Sequence, residues 1–327
     1  MIHMREDLLK TKVEEMKLGK IGFAELLDQM KKSGGFGAKN LADAASILEN
    51  MAKEKDCVKF LSFPACVIAT GLRGAIAQMI EKGLVDIIIT TCGTLDHDLA
   101  RAWGGKYYHG SFEYDDEKLL GEEINRLGNI FVPNESYGLP LEKNMNPILE
   151  ELYKEKKEWS GRELIHEFGK RLNDEQSIVY QAAKKNIPIF VPGITDGAFG
   201  TNLVWFAQDH DFRVNILDDE KEISNIIFSD KKSGALMLGG GISKHHTIWW
   251  NQFKGGLNYA VFITTATQYD GSLSGARLKE AVSWGKIDTQ AEYVTVDGDA
   301  TILLPLLLSA LYEKLDSNPT QEDKQGQ

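Results

Sequence analysis

The chain has too few cysteines for a disulfide frame or a zinc knuckle. Its three, Cys57, Cys66 and Cys92, show no paired close spacing and read as buried thiols in or near strands, in a reducing compartment. Positive charge is also short: 37 Lys and Arg against 48 Asp and Glu leave a net charge of −11 and a pI near 5.2. This balance argues against nucleic acid or an anionic membrane as the main partner, since both need a basic face. It suits a cationic partner, such as a polyamine or a lysine-rich protein surface. No basic-then-apolar leader is present. The longest apolar stretch, TILLPLLLSAL at 301–311, is interrupted by Pro305 and falls far short of a bilayer span. A soluble, cytoplasmic protein is the expectation. Internal repeats and mid-chain linkers are missing too, so the organisation is read from periodicity.

What is present is enough apolar material, 43% of 327 residues, to bury a full core. At 21–30 and 41–51 apolar residues recur three and four apart, with SGGFG between them, which predicts two helices and a break. From Cys57 onward short apolar runs alternate with helical patterns: CVKFLSF, VDIIITT, NIFVP, IPIFVP, RVNIL, ALMLGGG, YAVFITT and YVTV. They are β-branched and mostly not alternating, as strands covered on both faces are. The expected fold is α/β, a doubly wound, largely parallel Rossmann-like sheet. The expected divisions are a helical extension at 1–55, the α/β body at 56–315 and a polar tail at 316–327.

Ligands of such sheets bind beyond the carboxyl ends of the strands. Thr90–Gly93, Pro192–Gly197, Gly239–Gly241 and Thr264–Ala266 fall at those ends, which makes a nucleotide-type site plausible. In LMLGGGISKHH, three glycines separate a strand from a helix starting near Ser243, so a ligand can approach the backbone and free N–H groups at the helix start attract anions. A plain tight turn would use the same glycines. His245 and His246 are adjacent and point about 100° apart on a helix. His97, in Asp96-His97-Asp98, lacks a partner at helical spacing, so no metal site is expected. The densest segment is 264–286, TTATQYDGSLSGARLKEAVSWGK. A polar loop (Gly271, Ser272, Ser274, Gly275) precedes a short helix at 276–283, then Trp284-Gly285-Lys286. Lys286 beside an indole would be desolvated and usable as an amine nucleophile, unless it is an ordinary surface charge. Asp270 and Glu280 could hold a cationic substrate.

The same segment resembles the deoxyhypusine synthase family. EAVSWGKI (280–287) is similar to the family's active-site signature, whose lysine falls on Lys286. GGGISKHH, DGSLSGAR and GDATILLPLL match further family segments, and GFGAKNLADA, VDIIITTCG, GNIFVPNESY and VPGITDGAFG follow the family's order over residues 17 to 315. The resemblance implies that 56–315 is an NAD-binding catalytic domain. It implies aminobutyl transfer from spermidine through an imine on Lys286 to a lysine of the hypusine-containing translation factor, with 1,3-diaminopropane released. By motif, His245, Glu280, Trp284 and Gly271 would meet the amine. Thr91, Gly93, Asp196, Gly240, Thr265, Ala266, Asp270, Ser274, Asp299 and Ala300 would line the NAD site. A homotetramer with active sites at dimer interfaces is also implied.

Several substrate positions depart from the family. An aspartate that holds the polyamine is Thr201 here, a second acid is Leu273, and a polar residue after KHH is Trp249. A Glu-Glu-Asp is Asp96-His97-Asp98, and an Asn-rich stretch is Ala65-Cys66-Val67. Each lost carboxylate removes about 1.5–3 kcal/mol from a desolvated ammonium, unless acids have moved, for instance to Asp96. Two further readings follow: a homospermidine synthase-like enzyme with putrescine as acceptor, and a catalytically silent NAD-binding paralogue.

Overall fold

The computed structural model describes residues 9–229 and 231–317. The apolar runs β1 (Cys57–Ser62), β2 (Ile87–Ile89), β7 (Ile189–Phe190), β9 (Lys232–Leu238), β10 (Leu257–Thr264) and β11 (Ile287–Asp297) pair in the order β11-β10-β9-β1-β2-β7. Every pairing is parallel. Between them, β3 (Tyr108–His109), β4 (Ile124–Leu127) and β5 (Ile130–Pro133) make a separate antiparallel sheet, while β6 (Glu158–Trp159) pairs with β8 (Arg213–Val214).

The pleat explains why the inner strands carry apolar residues on both faces. Leu61, Ile88, Leu236, Leu238, Val261 and Ile263 join one core, while their neighbours Phe60, Ile87, Ile89, Ala235, Met237 and Phe262 join a second. The first core is covered by α1 (Phe23–Ser33), α2 (Phe36–Lys53), α3 (Leu72–Glu81) and α13 (Ala300–Ser317). It continues among α4 (Cys92–Ala102), α6 (Gly138–Glu155), α7 (Gly161–Lys170), α8 (Ile178–Lys185) and α9 (Ala198–Asp209). The second is covered by α10 (Ile216–Ile227), α11 (Gly241–Asn251) and α12 (Leu278–Val282). Each wholly buried Phe or Ile contributes on the order of 1.5–3 kcal/mol, so both faces must be covered, and the fold is α/β and doubly wound. The short α5 (Asp116–Gly121) is capped by Asp115 and belongs to the small-sheet region.

Three expectations are corrected. NIFVP is not in the main sheet: with INRL it forms a hairpin through Gly128, whose φ is +61°. RVNIL is a strand only at Arg213–Val214, because the Asn215 side chain accepts from Leu217 N and starts α10. Cys57 and Cys92 are buried, but Cys66 is exposed in a single 3₁₀ turn, Ala65–Val67. Of the tail expected at 316–327, Asp316 and Ser317 close α13, and the rest lies outside the described residues.

Candidate active site

The chain winds from β1 to β2 and β7, then returns to place β9 on the other side of β1. That reversal leaves a crevice at the carboxyl ends of β1 and β9. A cleft of about 600 Å³ opens there, walled by the segments that follow β1 (Pro64, Cys66, Val67), β9 (Gly239, Gly240), β10 (Thr265, Ala266) and β11 (Gly298–Thr301), with Phe112 and 127–130 of the small sheet opposite. Two helices begin at its rim. The α11 N-terminus carries no side-chain cap at Gly240, so its first N–H groups stay available. At α13, Asp299 accepts from Thr301 N at 2.8 Å. Glycine is required at 240 because a Cβ there would overlap the Cα of Ser274.

Six residues assigned by resemblance to a cofactor share this cleft: Gly240, Thr265, Ala266, Ser274, Asp299 and Ala300. Four do not line it. Thr91 accepts from Ala65 N at 3.1 Å, and Gly93 packs so closely that a Cβ would lie 2.9 Å from that of Ala65; both support the cleft wall from behind. Asp270 is exposed and accepts from Ser272 N and Oγ, shaping its own loop. Asp196 sits in the exposed turn beyond β7, and its amide donates to Gly193 O.

Lys286 lies beside the cleft rather than in it. Gly285, with φ +67°, turns the chain out of α12. The Lys286 N–H then donates to Ala281 O, and its carbonyl accepts from Leu257 N. Those two bonds fix the residue between helix and sheet. Only 8% of it is exposed, and its Nζ stands 5.3 Å from the ring centre of Trp284 and 5.7 Å from that of Trp249. Trp284 is itself 67% exposed, so one wall of this niche faces outward. His245 stacks on Trp249 at 5.7 Å, and burial together with the Lys286 charge pushes its imidazole down. Glu280 is exposed on α12, and Gly271, with φ +69°, is the left-handed turn after Asp270.

Sequence reading missed Lys244. It is 2% exposed, donates to Leu273 O at 2.8 Å and Ala276 O at 2.5 Å, and lies 3.7 Å from the Phe262 ring centre. Burial pulls its ammonium down to about 8, against the pull of Glu280. The lysine thereby ties α11 to the loop carrying Ser274. Its signal was available: Lys244, Thr247, Ile248 and Asn251 form the buried stripe of α11 at helical spacing.

Asp96 does not replace the lost acids. It is wholly buried and accepts from Ala198 N, Phe199 N and Tyr137 Oη, so its oxygens cap α9. His97 meets Tyr107 Oη at 2.7 Å, and burial pushes its imidazole down to about 4. Among the described residues no His, Cys, Asp or Glu cluster could hold a metal, and no helix is long and apolar enough to cross a membrane.

The profile of the deoxyhypusine synthase family matches residues 25–311. The chain belongs to the deoxyhypusine synthase family. Relatives bearing the deoxyhypusine synthase name in Picrophilus torridus and Thermoplasma acidophilum are 53% and 54% identical over 307 residues, 93% of this chain and 98% of each relative. A crystal structure of an Entamoeba histolytica protein of that name superposes with a TM-score of 0.63 at 23% identity, covering 92% of this chain and 96% of that one. At that identity the superposition speaks for the fold alone. Membership of the deoxyhypusine synthase family makes this chain an enzyme, of the transferase class.

Proposed function

We propose that this chain transfers the aminobutyl group of spermidine to a lysine of the hypusine-containing translation factor, with NAD as cofactor and Lys286 as the covalent carrier. The observation that carries this reading is the Lys286 niche: a nearly buried lysine between two indoles, on a frame shared with a dinucleotide-sized cleft. The cleft suits NAD, having backbone N–H groups at the α11 start for a pyrophosphate and the Asp299 carboxylate for ribose hydroxyls. NAD, when bound, supplies reversible hydride acceptance.

The chain's own part is positioning. Trp249 and Trp284 flank the Lys286 Nζ and restrict water on two sides, so the lysine meets a substrate imine in a confined niche. Attack on that imine forms the Lys286 imine and releases 1,3-diaminopropane; the acceptor amine then displaces Lys286, and the acceptor's imine would be reduced by the hydride first taken from spermidine. His245, beside Trp249, is placed to exchange protons with the departing amine, and Glu280 to hold an ammonium. The outward wall, with Ile242, Trp249, Leu273 and Trp284 exposed, suits coverage by a second subunit, consistent with a homotetramer working in the cytoplasm. A second reading, a small acceptor such as putrescine, draws support from Thr201 and Leu273 standing where the family carries acids.

Incubation with NAD and labelled spermidine, followed by borohydride trapping, is expected to place label on Lys286, and Lys286→Ala to abolish both adduct and transfer. Label elsewhere, or transfer by the variant, would refute the covalent role. Label passed to putrescine but not to the translation factor would select the second reading.

A further inference from the structure

Helix α11 carries two histidine–tryptophan pairs at four-residue spacing, and they face different neighbours. His245 and Trp249 stack with ring centres 5.7 Å apart beside Lys286. His246 and Trp250, one position on and about 100° round the helix, meet edge to face at 6.5 Å and turn toward α10. There Glu220 receives both. Trp250 Nε1 donates to its Oε2 at 2.8 Å, and His246 Nε2 stands 3.4 Å from its Oε1. Burial holds the His246 imidazole down at about 4, so it is neutral and makes no ion pair; the indole bond is the firmer tether.

Glu220 stands on a fixed base. Ile223 and Ile227 of α10 are buried in the second core, and the adjacent Asp219 accepts from Arg162 N at 2.9 Å at the start of α7. Another side of α11 is pinned through Lys244 to Leu273 O and Ala276 O. Phe253 meets both indoles, 5.7 Å from Trp249 and 5.6 Å from Trp250, so the two pairs turn together. Side chains reach about 6 Å from a helix axis, so a rotation of about 10° displaces a ring by about 1 Å. A misplacement of that size at a reacting group costs on the order of a hundredfold in rate. Glu220, His246 and Trp250 line neither the cleft nor a second cavity of about 620 Å³, walled by α6, α9 and the small sheet with Glu123, Glu142 and Thr201 in its lining.

We propose that Glu220 is a positioning residue: by holding Trp250 and His246 it sets the rotation of α11, and with it the place of Trp249 and His245 beside Lys286. The inference rests on the proposed transfer reaction for its effect on turnover, but not for its effect on the helix.

The test compares Glu220→Ala with Glu220→Gln in the full-length protein. A glutamine still offers an oxygen to Trp250 Nε1, so the conservative variant should rescue. In Glu220→Ala, borohydride-trapped labelling of Lys286 at saturating spermidine is expected to slow about tenfold or more, while NADH affinity stays within about twofold of the parent. The second readout needs no reaction. The His245 imidazole is pushed down by burial and by the Lys286 charge, so its titration midpoint, followed by histidine-selective NMR and assigned through His245→Gln, should climb toward 6.5 in the alanine variant alone. Lys221→Gln, at an exposed neighbour on α10, should match the parent in both readouts. Parent-like labelling and an unmoved His245 midpoint in Glu220→Ala overturn the proposal. Equal loss in the alanine and glutamine variants also overturns it, since Glu220 would then serve the fold only. An unlabelled Lys286 in the unaltered protein, with the midpoint still climbing in Glu220→Ala alone, keeps the brace and removes the transfer reaction instead.

Discussion

The two cavities are built on opposite principles. The cleft over β1, β9, β10 and β11 is made of main chain: glycines, helix starts and short hydroxyl side chains at strand ends, delivered by the sheet itself. The acidic cavity is made of side chains gathered from Glu123, Glu142, Thr201 and Trp205, with no strand end of the main sheet in its wall. A backbone site is tied to the fold and tolerates little change, whereas a side-chain site can shift its charge from one element to another while the scaffold stays the same. The departures at Thr201 and Leu273 fall on side-chain positions, and the glycine-rich segments are intact.

That contrast breaks most sharply at Gly240. In Gly240→Val the new side chain overlaps Ser274 and forces the 267–275 loop away, so NADH affinity should fall about tenfold to a hundredfold, and labelling of Lys286 by spermidine should fall with it.

A smaller effect is expected from Lys244→Met, which leaves the Leu273 and Ala276 carbonyls without their donor. Destabilisation of about 1–3 kcal/mol should appear as a drop of several degrees in Tm, with weaker NADH binding through Ser274. The pH dependence identifies the cause. The Lys244 ammonium has a folded value of about 8 against an ordinary 10.5, so the unfolded chain binds the extra proton between those values. Stability from this group therefore rises across about pH 8 to 10.5, and the variant lacks that rise.

The smallest effect concerns the acidic cavity's back wall. His97 packs on Tyr137 at 5.1 Å, faces Tyr107 and Arg101, and has a folded value of about 4 against 6.5. Here too the unfolded state holds more protons, so this contribution is intact above pH 6.5 and lost as pH falls toward 4. His97→Gln should flatten, without removing, the acid limb of a Tm-against-pH curve, because His246 is likewise held at about 4 by burial.

The same contrast explains what was legible in the sequence. Gly239–Gly241, Thr264–Ala266 and Asp299–Ala300 are contiguous runs at the ends of apolar strands, so both the fold and the cleft could be read from pattern alone. Lys286 became legible only through the Ser-Trp-Gly-Lys context, since nothing in composition separates it from a surface lysine. Lys244 was hidden because it was read as part of a glycine motif and not as one member of a buried helical stripe. Asp96 reads from the sequence as a relocated pocket acid; only the structure reveals that α9 consumes it as a cap.

The small antiparallel sheet touches both cavities: Phe112 and the 127–130 turn face the cleft, while Glu123, Asn125 and Asn134 face the acidic cavity. It is a party wall between the two cavities. If the occupant of one cavity shifts that wall and so changes the affinity of the other cavity by some factor, an occupant of the other cavity changes the affinity of the first by that same factor, because the binding free energies close a thermodynamic cycle. Order of filling would then be a property of the wall, with no messenger passing between the rooms.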